Sequence, residues 1–347
     1  MRAVSLAVSR PYTVYLGSGL LSDLGERLSA LHEPCTAVIV SGPRVWPLYG
    51  ETVEKALCDS GFRVLHFLHP DGEAAKSLSV YGELLNFLCE KDIDRGDLLL
   101  ALGGGVTGDL CGFAAATYRR GMDYVQLPTT LLAMVDSSVG GKTALNLPGG
   151  KNQVGAFCQP LSVFADTDTL TTLPPVQLQS GLGEVVKYAL MGDAALFSAL
   201  EQGQNPCDEA VIERCITMKR DLVERDERDS AERQLLNLGH SFGHAVEQCS
   251  GYTLPHGIAV GIGLAIIGRY ACQQGLFPAD ELTRLLSLLE KLGLPTECEY
   301  GREALFAAIR SDKKRRGHTI TLILPRSIGC CERKTLALSA LSEALQL

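Results

Sequence analysis

The sequence predicts an α/β protein of two domains, with a Rossmann-like parallel α/β domain at the N-terminal end and a mainly α-helical, metal-binding domain after it. In the first half of the chain, short β-branched runs alternate with stretches of helical periodicity, which is typical of a parallel sheet. After Pro174-Pro175, long amphipathic helical stretches replace this alternation. We therefore place the boundary at the double proline and predict domains over 1–174 and 175–347.

Periodicity places the individual elements. Runs of β-branched and apolar residues predict four buried strands, at 36–40, 63–68, 97–103 and 123–128. Helical spacing predicts helices over 53–59 and 78–90 in the first domain and over 181–200, 208–227, 233–248, 257–274 and 280–292 in the second. A short β-like run at 318–325 interrupts the second set of helices. The apolar segment 257–268 has the length of a buried core helix and is too short for a membrane span.

Composition and charge exclude several classes of function. The chain has 347 residues, of which 46% are hydrophobic and 21% charged, so we expect a folded protein. A formal net charge of -8 argues against a nucleic-acid or anionic-membrane binder, and an anionic ligand therefore needs locally placed cations. The 12 scattered cysteines lack zinc-ribbon spacing and predict free, mostly core thiols in a reducing cytoplasm.

A glycine-rich turn follows the third predicted strand. Gly103 to Asp109 read GGGVTGD, fit the pattern GxGxxG and precede an apolar helix. Glycines at a strand-to-helix turn let a pyrophosphate approach the backbone N–H groups of the helix N-terminus. The turn therefore indicates dinucleotide binding, with a plain tight turn as the alternative.

The segment 135–152, VDSSVGGKTALNLPGGKN, places Lys142 and Lys151 nine residues apart, each directly after a glycine pair. Lysine beside exposed backbone N–H groups is typical of a phosphate or carboxylate site. The GKT sequence is not a P-loop, because Asp136 stands where that motif requires glycine. A solvated flexible loop is the alternative, but residues 137–141, between Asp136 and Lys142, are uncharged and poorly suited to open solvent.

Two polar groups stand out in the second domain. Glu184 and Lys187 lie three residues apart on an otherwise apolar helix, and we expect this pair to face a cleft. The second group recurs at helical spacing and is predicted to form one polar stripe on a single helix: Arg233, Asn237, His240, His244 and Glu247.

His256 lies sixteen residues after His240, just before the apolar helix. Together with Glu184, these two histidines would form a zinc-type ligand set with an open coordination position. Core histidines with hydrogen-bond partners are the alternative. The absence of an HExxH sequence argues against a zincin protease.

Several long motifs occur together between about Pro70 and Gly329: PDGEAAK, GGGVTGDLCGF, QLPTTLLAMVDSSVGGKTALN, GGKNQVGAF, GLGEVVKYA, LLNLGHSFGHAVE, LPHGIAV and DKK. This combination closely resembles the 3-dehydroquinate synthase family of sugar-phosphate cyclases. The resemblance implies an N-terminal α/β domain that binds NAD, a helical C-terminal domain that carries a divalent metal, and a homodimer.

The resemblance also implies the roles of individual residues. NAD would contact Asp71, Gly72, Glu73, Ala74, Ala75, Lys76, Gly105, Val106, Thr107, Gly108, Asp109, Thr129, Thr130, Lys142, Lys151, Thr169, Leu170, Thr171 and Thr172. Zinc or cobalt would be bound by Glu184, His240 and His256. The catalytic and substrate-binding residues would be Asp136, Lys142, Asn152, Lys187, Lys219, Arg233, Asn237, His244 and Lys313, with Arg120 contributed by the neighbouring subunit.

The reaction that the resemblance implies converts 3-deoxy-D-arabino-heptulosonate 7-phosphate into 3-dehydroquinate and phosphate. It proceeds by oxidation with NAD, phosphate elimination, return of the hydride, ring opening and aldol closure. The alternatives are a sister cyclase that makes a valiolone or scyllo-inosose ring and a metal-dependent polyol dehydrogenase. Lys219, Arg233 and Asn237 favour a substrate with a carboxylate, and the lysine-rich segment 135–152 argues against a polyol dehydrogenase.

Two segments depart from the usual family pattern. After the strand at 36–40, where Asp or Asn and a second polar residue usually meet the adenosine half of NAD, this chain has Gly42 and Arg44. We therefore expect an altered cofactor affinity. Asp229 stands where Glu is usual, which keeps the carboxylate but shortens its reach.

Overall fold

The computed structural model describes residues 1–311, 315–316 and 319–337, and it divides into two compact units, Met1–Leu173 and Pro174–Leu347. The strands of the first unit are β1 (Arg2–Leu6), β2 (Tyr12–Gly17), β3 (Thr36–Ser41), β4 (Arg63–Leu68), β5 (Leu98–Gly103), β6 (Asp123–Pro128), β7 (Lys142–Leu147), β8 (Gly150–Phe157) and β9 (Ser162–Asp166). Its α-helices are α1 (Leu24–Ser29), α2 (Glu51–Asp59), α3 (Leu78–Glu90) and α4 (Gly105–Thr117).

Seven of these strands form one sheet in the order β1-β2-β9-β6-β5-β3-β4. All neighbouring pairs are parallel except β1 and β2, which form an antiparallel pair at one edge. Side chains of β3 alternate between two hydrophobic clusters, since Val38 and Val40 pack with α3 and α4 while Ala37 and Ile39 pack with α1 and α2. Both faces of the central strands are thus covered, which explains their continuous apolar sequence.

The four predicted strands and two predicted helices of this unit are confirmed, but β4 is not buried. It lies at the edge of the sheet, and its side chains are exposed or half-buried. The sequence did not predict β1, β2 or β9. Nor did it predict the β7–β8 hairpin, which carries Lys142 and Lys151 and excludes the alternative of a flexible loop.

The second unit consists mainly of helices. They are α5 (Pro175–Gly192), α6 (Ala194–Glu201), α7 (Glu209–Arg225), α8 (His240–Cys249), α9 (His256–Gln273), α10 (Ala279–Lys291) and α11 (Arg302–Ser311). An antiparallel sheet of β10 (Arg315–Arg316), β11 (Thr319–Ser327) and β12 (Cys330–Ala337) completes the described part. Residues 319–325 of the β-like run predicted at 318–325 therefore belong to a small sheet, and residue 318 lies outside the described residues.

Two helices that were predicted to be continuous in this unit are each divided into two elements. The helix expected over 181–200 is divided at Asp193, whose side chain caps α6 by accepting a 2.9 Å hydrogen bond from the N–H of Leu196. The helix expected over 233–248 is a 3-10 helix at Glu232–Asn237 followed by α8. Gly239 separates them in the left-handed region, with φ 76°. The five polar residues of the predicted stripe therefore do not lie on one helix.

The backbones of α5 and α9 are in direct contact at glycines. A Cβ atom on Gly183 would overlap the carbonyl oxygen of Gly257, and one on Gly257 would overlap that of Ser180. The N–H of Gly257 also donates a 3.0 Å hydrogen bond to Ser180 Oγ. Helix α8 comes equally close to α9, because a Cβ on Gly263 would overlap the carbonyl oxygen of Gly239. Only glycine permits these helix contacts.

The cysteines are all free, but most of them are not in the core. Only Cys111 and Cys215 are buried among the twelve, and Cys58, Cys89 and Cys330 are exposed. The prediction of free thiols is confirmed and the prediction of mostly core thiols is wrong. In the described part of the chain, no helix combines the length and apolar character needed to cross a membrane.

We expect Gly183→Ala to destabilise the protein by about 1–3 kcal/mol, because the added methyl group forces α5 and α9 apart. Gly192→Ala is the matched control on the same helix, since its Cβ would lie 3.5 Å from Met218 Sδ, an ordinary contact. Urea denaturation of both variants tests this. Equal stability of the two variants would contradict the importance of the helix contact.

Candidate active site

Three side chains from three helices meet in the second unit. Glu184 lies on α5, and His240 and His256 begin α8 and α9. Glu184 Oε1 lies 3.5 Å from His240 Nε2 and 3.3 Å from His256 Nε2. The three residues can offer ligand atoms that all lie within 4.8 Å of one another. Each of them is the chain neighbour of a glycine at the helix contacts, so the close packing of the helices brings the side chains together.

Both histidines are oriented through their other ring nitrogen. His240 Nδ1 lies 3.1 Å from the carbonyl oxygen of Leu238, and His256 Nδ1 lies 3.0 Å from Glu247 Oε2. These oxygens only accept hydrogen bonds, so each Nδ1 carries a proton and the Nε2 of a neutral ring presents its lone pair. Two imidazole nitrogens and one carboxylate oxygen with such supporting partners fit a divalent metal that keeps coordination positions open.

The two carboxylate oxygens of Glu184 face different partners. Lys187 Nζ lies 2.5 Å from Glu184 Oε2, while Oε1 faces the two histidines. The predicted pair with Lys187 therefore forms, but both side chains are at most 1% exposed. The expectation that this pair faces a cleft stays a prediction.

His256 lies between two carboxylates. Burial lowers the pKa of His256, but the hydrogen bonds and charges of Glu184 and Glu247 outweigh burial and raise this pKa to about 10. In the metal-free protein the ring is therefore cationic at neutral pH. A divalent cation bound at Nε2 would replace that proton between His256 and Glu184.

His244 lies beside the two histidines of this group. The ring centroids of the three histidines are 5.1 to 5.7 Å apart. His244, Glu247 and His256 also form a group with ligand atoms within 4.8 Å of one another. Because Glu247 already accepts from His256 Nδ1, we assign Glu247 to orienting His256 and leave His244 beside the metal group.

Three cations of the second unit are buried on elements that pack against one another. Lys187 on α5, Lys219 on α7 and Arg233 on the 3-10 helix are 0%, 5% and 1% exposed. Burying several like charges is costly unless anionic groups share the region, and Glu184 supplies one such group to Lys187. The three buried cations on packed elements mark this region as a candidate site for an anionic ligand. Asn237 and His244 are half-buried.

Asp226 organises the segment that leads to Arg233. Its carboxylate accepts hydrogen bonds from the N–H groups of Ser230, Ala231 and Arg233, at 2.9, 2.6 and 3.1 Å, and from Ser230 Oγ at 3.0 Å. Burial raises the pKa of Asp226, but these hydrogen bonds outweigh it and lower the pKa to about 2. Asp229 lies inside the same turn with φ 58°, a left-handed conformation that Asp adopts more readily than most residues.

In the first unit, the glycine-rich turn connects β5 to α4. A Cβ on Gly103 would overlap Thr107, and one on Gly105 would lie 2.9 Å from Ser137 Oγ. The helix begins after Gly104, which has no side chain that could cap it. The N-terminus of a 13-residue helix is thus available to an anion, as a bound pyrophosphate requires. The predicted contacts at 105–109 form its first turn.

Lys76 joins three predicted site segments. Its Nζ lies 2.5 Å from Asp109 Oδ2 on α4 and 2.6 Å from Asn152 Oδ1 on β8. The segment 71–76 is also linked to the β7–β8 hairpin, because Asn146 Nδ2 donates a 2.8 Å hydrogen bond to Glu73 Oε1. Asn152 has φ 54°, so its backbone is held in the left-handed region. The structure thus brings together predicted NAD contacts and a predicted substrate contact.

The predicted NAD contacts of the first unit lie along one edge of the sheet. The segments 71–76, 105–109 and 129–130 follow β4, β5 and β6, and 169–172 lies in the 3-10 helix after β9. These strands are parallel, so the carboxyl ends of all four lie at one edge. Ligands of open α/β sheets bind at this edge. Lys142 begins β7, and Lys151 lies on β8, 3.9 Å from Glu73 Oε1.

Two predicted catalytic residues, Arg120 and Asp136, lie outside these clusters, and a third is not among the described residues. Arg120 is exposed beyond the C-terminal end of α4, whose 13 residues separate it by about 20 Å from the glycine-rich turn. Asp136 lies half-buried in a short helix at Ala133–Ser137. Lys313 lies outside the described residues.

The supporting roles of two residues do not follow from the sequence pattern alone. Glu247 was placed in the polar stripe, but its hydrogen bond to His256 depends on the arrangement of α8 and α9. Asp226 was not selected, although an Asp followed by a turn and then by a buried Arg could have indicated a capping role.

Comparisons with known proteins give a consistent result. Residues 66–180 match the family described as 3-dehydroquinate synthase N-terminal, and residues 181–315 match its C-terminal counterpart. The chain is 40% identical over 345 residues to a 3-dehydroquinate synthase of Streptococcus suis, covering 97% of both chains.

Two solved structures have the same fold. A 2-epi-5-epi-valiolone synthase from Streptomyces hygroscopicus, with NAD+ and Zn2+ bound, is 29% identical, with a TM-score of 0.89 and coverage of 100% of this chain and 98% of that one. A 2-deoxy-scyllo-inosose synthase, complexed with carbaglucose-6-phosphate, NAD+ and Co2+, is 24% identical, with a TM-score of 0.89 and coverage of 99% of both chains.

We expect Glu247→Gln to weaken zinc binding by about 10- to 100-fold, because the amide loses the charge that orients and polarises His256. His256→Ala should lose bound zinc altogether. Glu232→Gln changes an exposed carboxylate of the same unit and is the matched control. Zinc affinity is measured by competition with a chromophoric chelator. Wild-type affinity in Glu247→Gln would contradict the orienting role.

The lowered pKa of Asp226 makes its contribution to folding stability depend on pH. Its pKa is about 2 in the folded chain and about 3.9 when unfolded. Its contribution to the free energy of unfolding is therefore fully present above pH 4 and is lost as the pH falls towards 2. We expect Asp226→Asn to be less stable by about 2 kcal/mol at pH 7, with a difference that shrinks below pH 4.

Urea denaturation of chelator-treated protein measures this difference without interference from metal loss. Asp208→Asn is the control, because its carboxylate is exposed and makes no cap hydrogen bond. A destabilisation of Asp226→Asn that stays constant down to pH 3 would rule out the ionised carboxylate as its source.

Proposed function

This chain belongs to the 3-dehydroquinate synthase family, and we propose that it converts 3-deoxy-D-arabino-heptulosonate 7-phosphate into 3-dehydroquinate and phosphate. The enzyme is then a phosphate-eliminating cyclase that uses NAD and either zinc or cobalt. The observation that carries the proposal is the group of Glu184, His240 and His256, in which the Nδ1 atom of each histidine is hydrogen-bonded to a protein oxygen.

The charge distribution supports this substrate. The substrate carries a carboxylate and a phosphate, and the chain as a whole has a formal net charge of -8. Binding therefore depends on local cations, and Lys187, Lys219 and Arg233 are buried in the second unit. In the first unit, Lys142 and Lys151 lie on the β7–β8 hairpin with Asn152. Preorganised cations of this kind stabilise charge that develops on oxygen during elimination.

Each unit supplies one part of the chemistry. A bound metal would supply Lewis-acid chemistry at a substrate hydroxyl, and bound NAD would take up and return a hydride, so the reaction would need no net oxidant. The chain holds the metal through Glu184, His240 and His256, with Glu247 orienting one ring. His244 is half-buried beside these rings and is proposed to move a proton at the reacting hydroxyl.

We infer a homodimer in which Arg120 acts in the site of the neighbouring subunit, because it is exposed and remote from the glycine-rich turn of its own chain. Lys313 is proposed as a further substrate contact. A cytoplasmic location agrees with twelve cysteines that are all free.

The metal-loaded protein with NAD should release phosphate and form dehydroquinate in equal amounts from the heptulosonate phosphate, without accumulating NADH. Lys219→Met should reduce kcat/KM by at least about 100-fold, because it removes a buried cation from the anion site. Lys55→Met, on the exposed side of α2, is the control. Turnover of sedoheptulose 7-phosphate in place of the heptulosonate phosphate would identify a sister cyclase and refute the proposal.

A further inference from the structure

The strand beside the glycine-rich turn ends in an unusual sequence. β3 lies parallel to β5 with Ser41 opposite Leu102, so the residues after Ser41 flank Gly103 and Gly104. In dinucleotide-binding sheets, the acidic residue that hydrogen-bonds the adenosine ribose 2′-hydroxyl favours NAD, whereas an arginine accommodates the 2′-phosphate of NADP. The nature of the side chains after β3 therefore bears on the choice of coenzyme.

No carboxylate stands on this segment. Residues 41–46 read SGPRVW, and Arg44 is the only charged residue among them. Ser41 is buried, and its hydroxyl donates a 2.9 Å hydrogen bond to the carbonyl oxygen of Leu102, so it is not available to a ribose. Gly42 offers no side chain and packs over the ring of His69, which a Cβ would approach to 3.2 Å. The segment thus lacks the acceptor that would select a free 2′-hydroxyl and repel a phosphate.

Arg44 places a cation at this position instead. Its side chain is 75% exposed, and Nη2 lies 2.6 Å from Asp71 Oδ2, at the start of the segment 71–76 proposed to contact the dinucleotide. A guanidinium has five N–H donors in a planar fork, so Arg44 can keep Asp71 and still bind phosphate oxygens. The pairing also offsets the charge of the nearest carboxylate, which would otherwise repel a 2′-phosphate.

We propose that Arg44 makes this dinucleotide site accept a 2′-phosphate, so that the chain binds NADP at least as tightly as NAD. The inference rests on the proposed function for the location of the dinucleotide. It is compatible with that reaction, because the hydride taken from the substrate is returned to the same intermediate, and either coenzyme leaves the cycle unchanged.

Binding of NADPH and NADH to the full-length, zinc-loaded protein tests the proposal through the fluorescence of the bound nicotinamide. We expect the dissociation constant for NADPH to be equal to or lower than that for NADH. Arg44→Gln should weaken NADPH binding at least tenfold and change NADH binding less than threefold. Arg63→Gln is the matched control, because it removes one exposed arginine at the opposite, amino end of β4.

A second variant tests the missing acceptor. Gly42→Asp restores a carboxylate after β3 and should shift the preference towards NADH at least tenfold, with an unchanged melting temperature as the check on folding. Tight binding of NADH with at least tenfold weaker binding of NADPH to the wild type would overturn the inference and leave the proposed function standing. Failure to bind either coenzyme would instead refute the proposed function, and the inference with it.

Discussion

The contact between the backbones of α5, α8 and α9 is the constraint on which the chemistry of the second unit depends. Each proposed metal ligand is the chain neighbour of a glycine at this contact, so the separation of the helices sets the separation of the ligands. Close packing also buries Glu184, and a buried carboxylate needs compensating charges. Lys187 on one side and the two histidines on the other supply them.

In the first unit, the corresponding constraint is the carboxyl edge of the parallel sheet. Segments that are far apart in the sequence reach this edge because their strands run in the same direction. Lys76 then connects the first turn of α4 to the β7–β8 hairpin through Asp109 and Asn152. The buried side chain of Lys76 therefore holds a proposed dinucleotide contact and a proposed substrate contact in a fixed relation.

The parts of the fold with a clear periodicity were predictable. β4 and α3 begin and end where the sequence predicted, because their apolar spacing is regular. The break at Gly239 was not predictable from spacing, since a left-handed residue interrupts a helix without changing the period of the polar positions. The selection of Glu184, His240 and His256 needed only residue types and spacing, whereas the role of Glu247 depends on tertiary packing. Burial of β4 was mispredicted because position in the sheet is not encoded locally.

The distribution of the cysteines has a practical consequence for handling the protein. Ten of the twelve thiols are exposed or half-buried, so oxidation during purification can cross-link molecules without disturbing the core. Thiol reductants would prevent this but also coordinate zinc and cobalt, and the proposed metal group has only three protein ligands. A phosphine reductant avoids that competition. Maleimide labelling for distance measurements likewise requires prior removal of the exposed thiols at Cys58, Cys89 and Cys330.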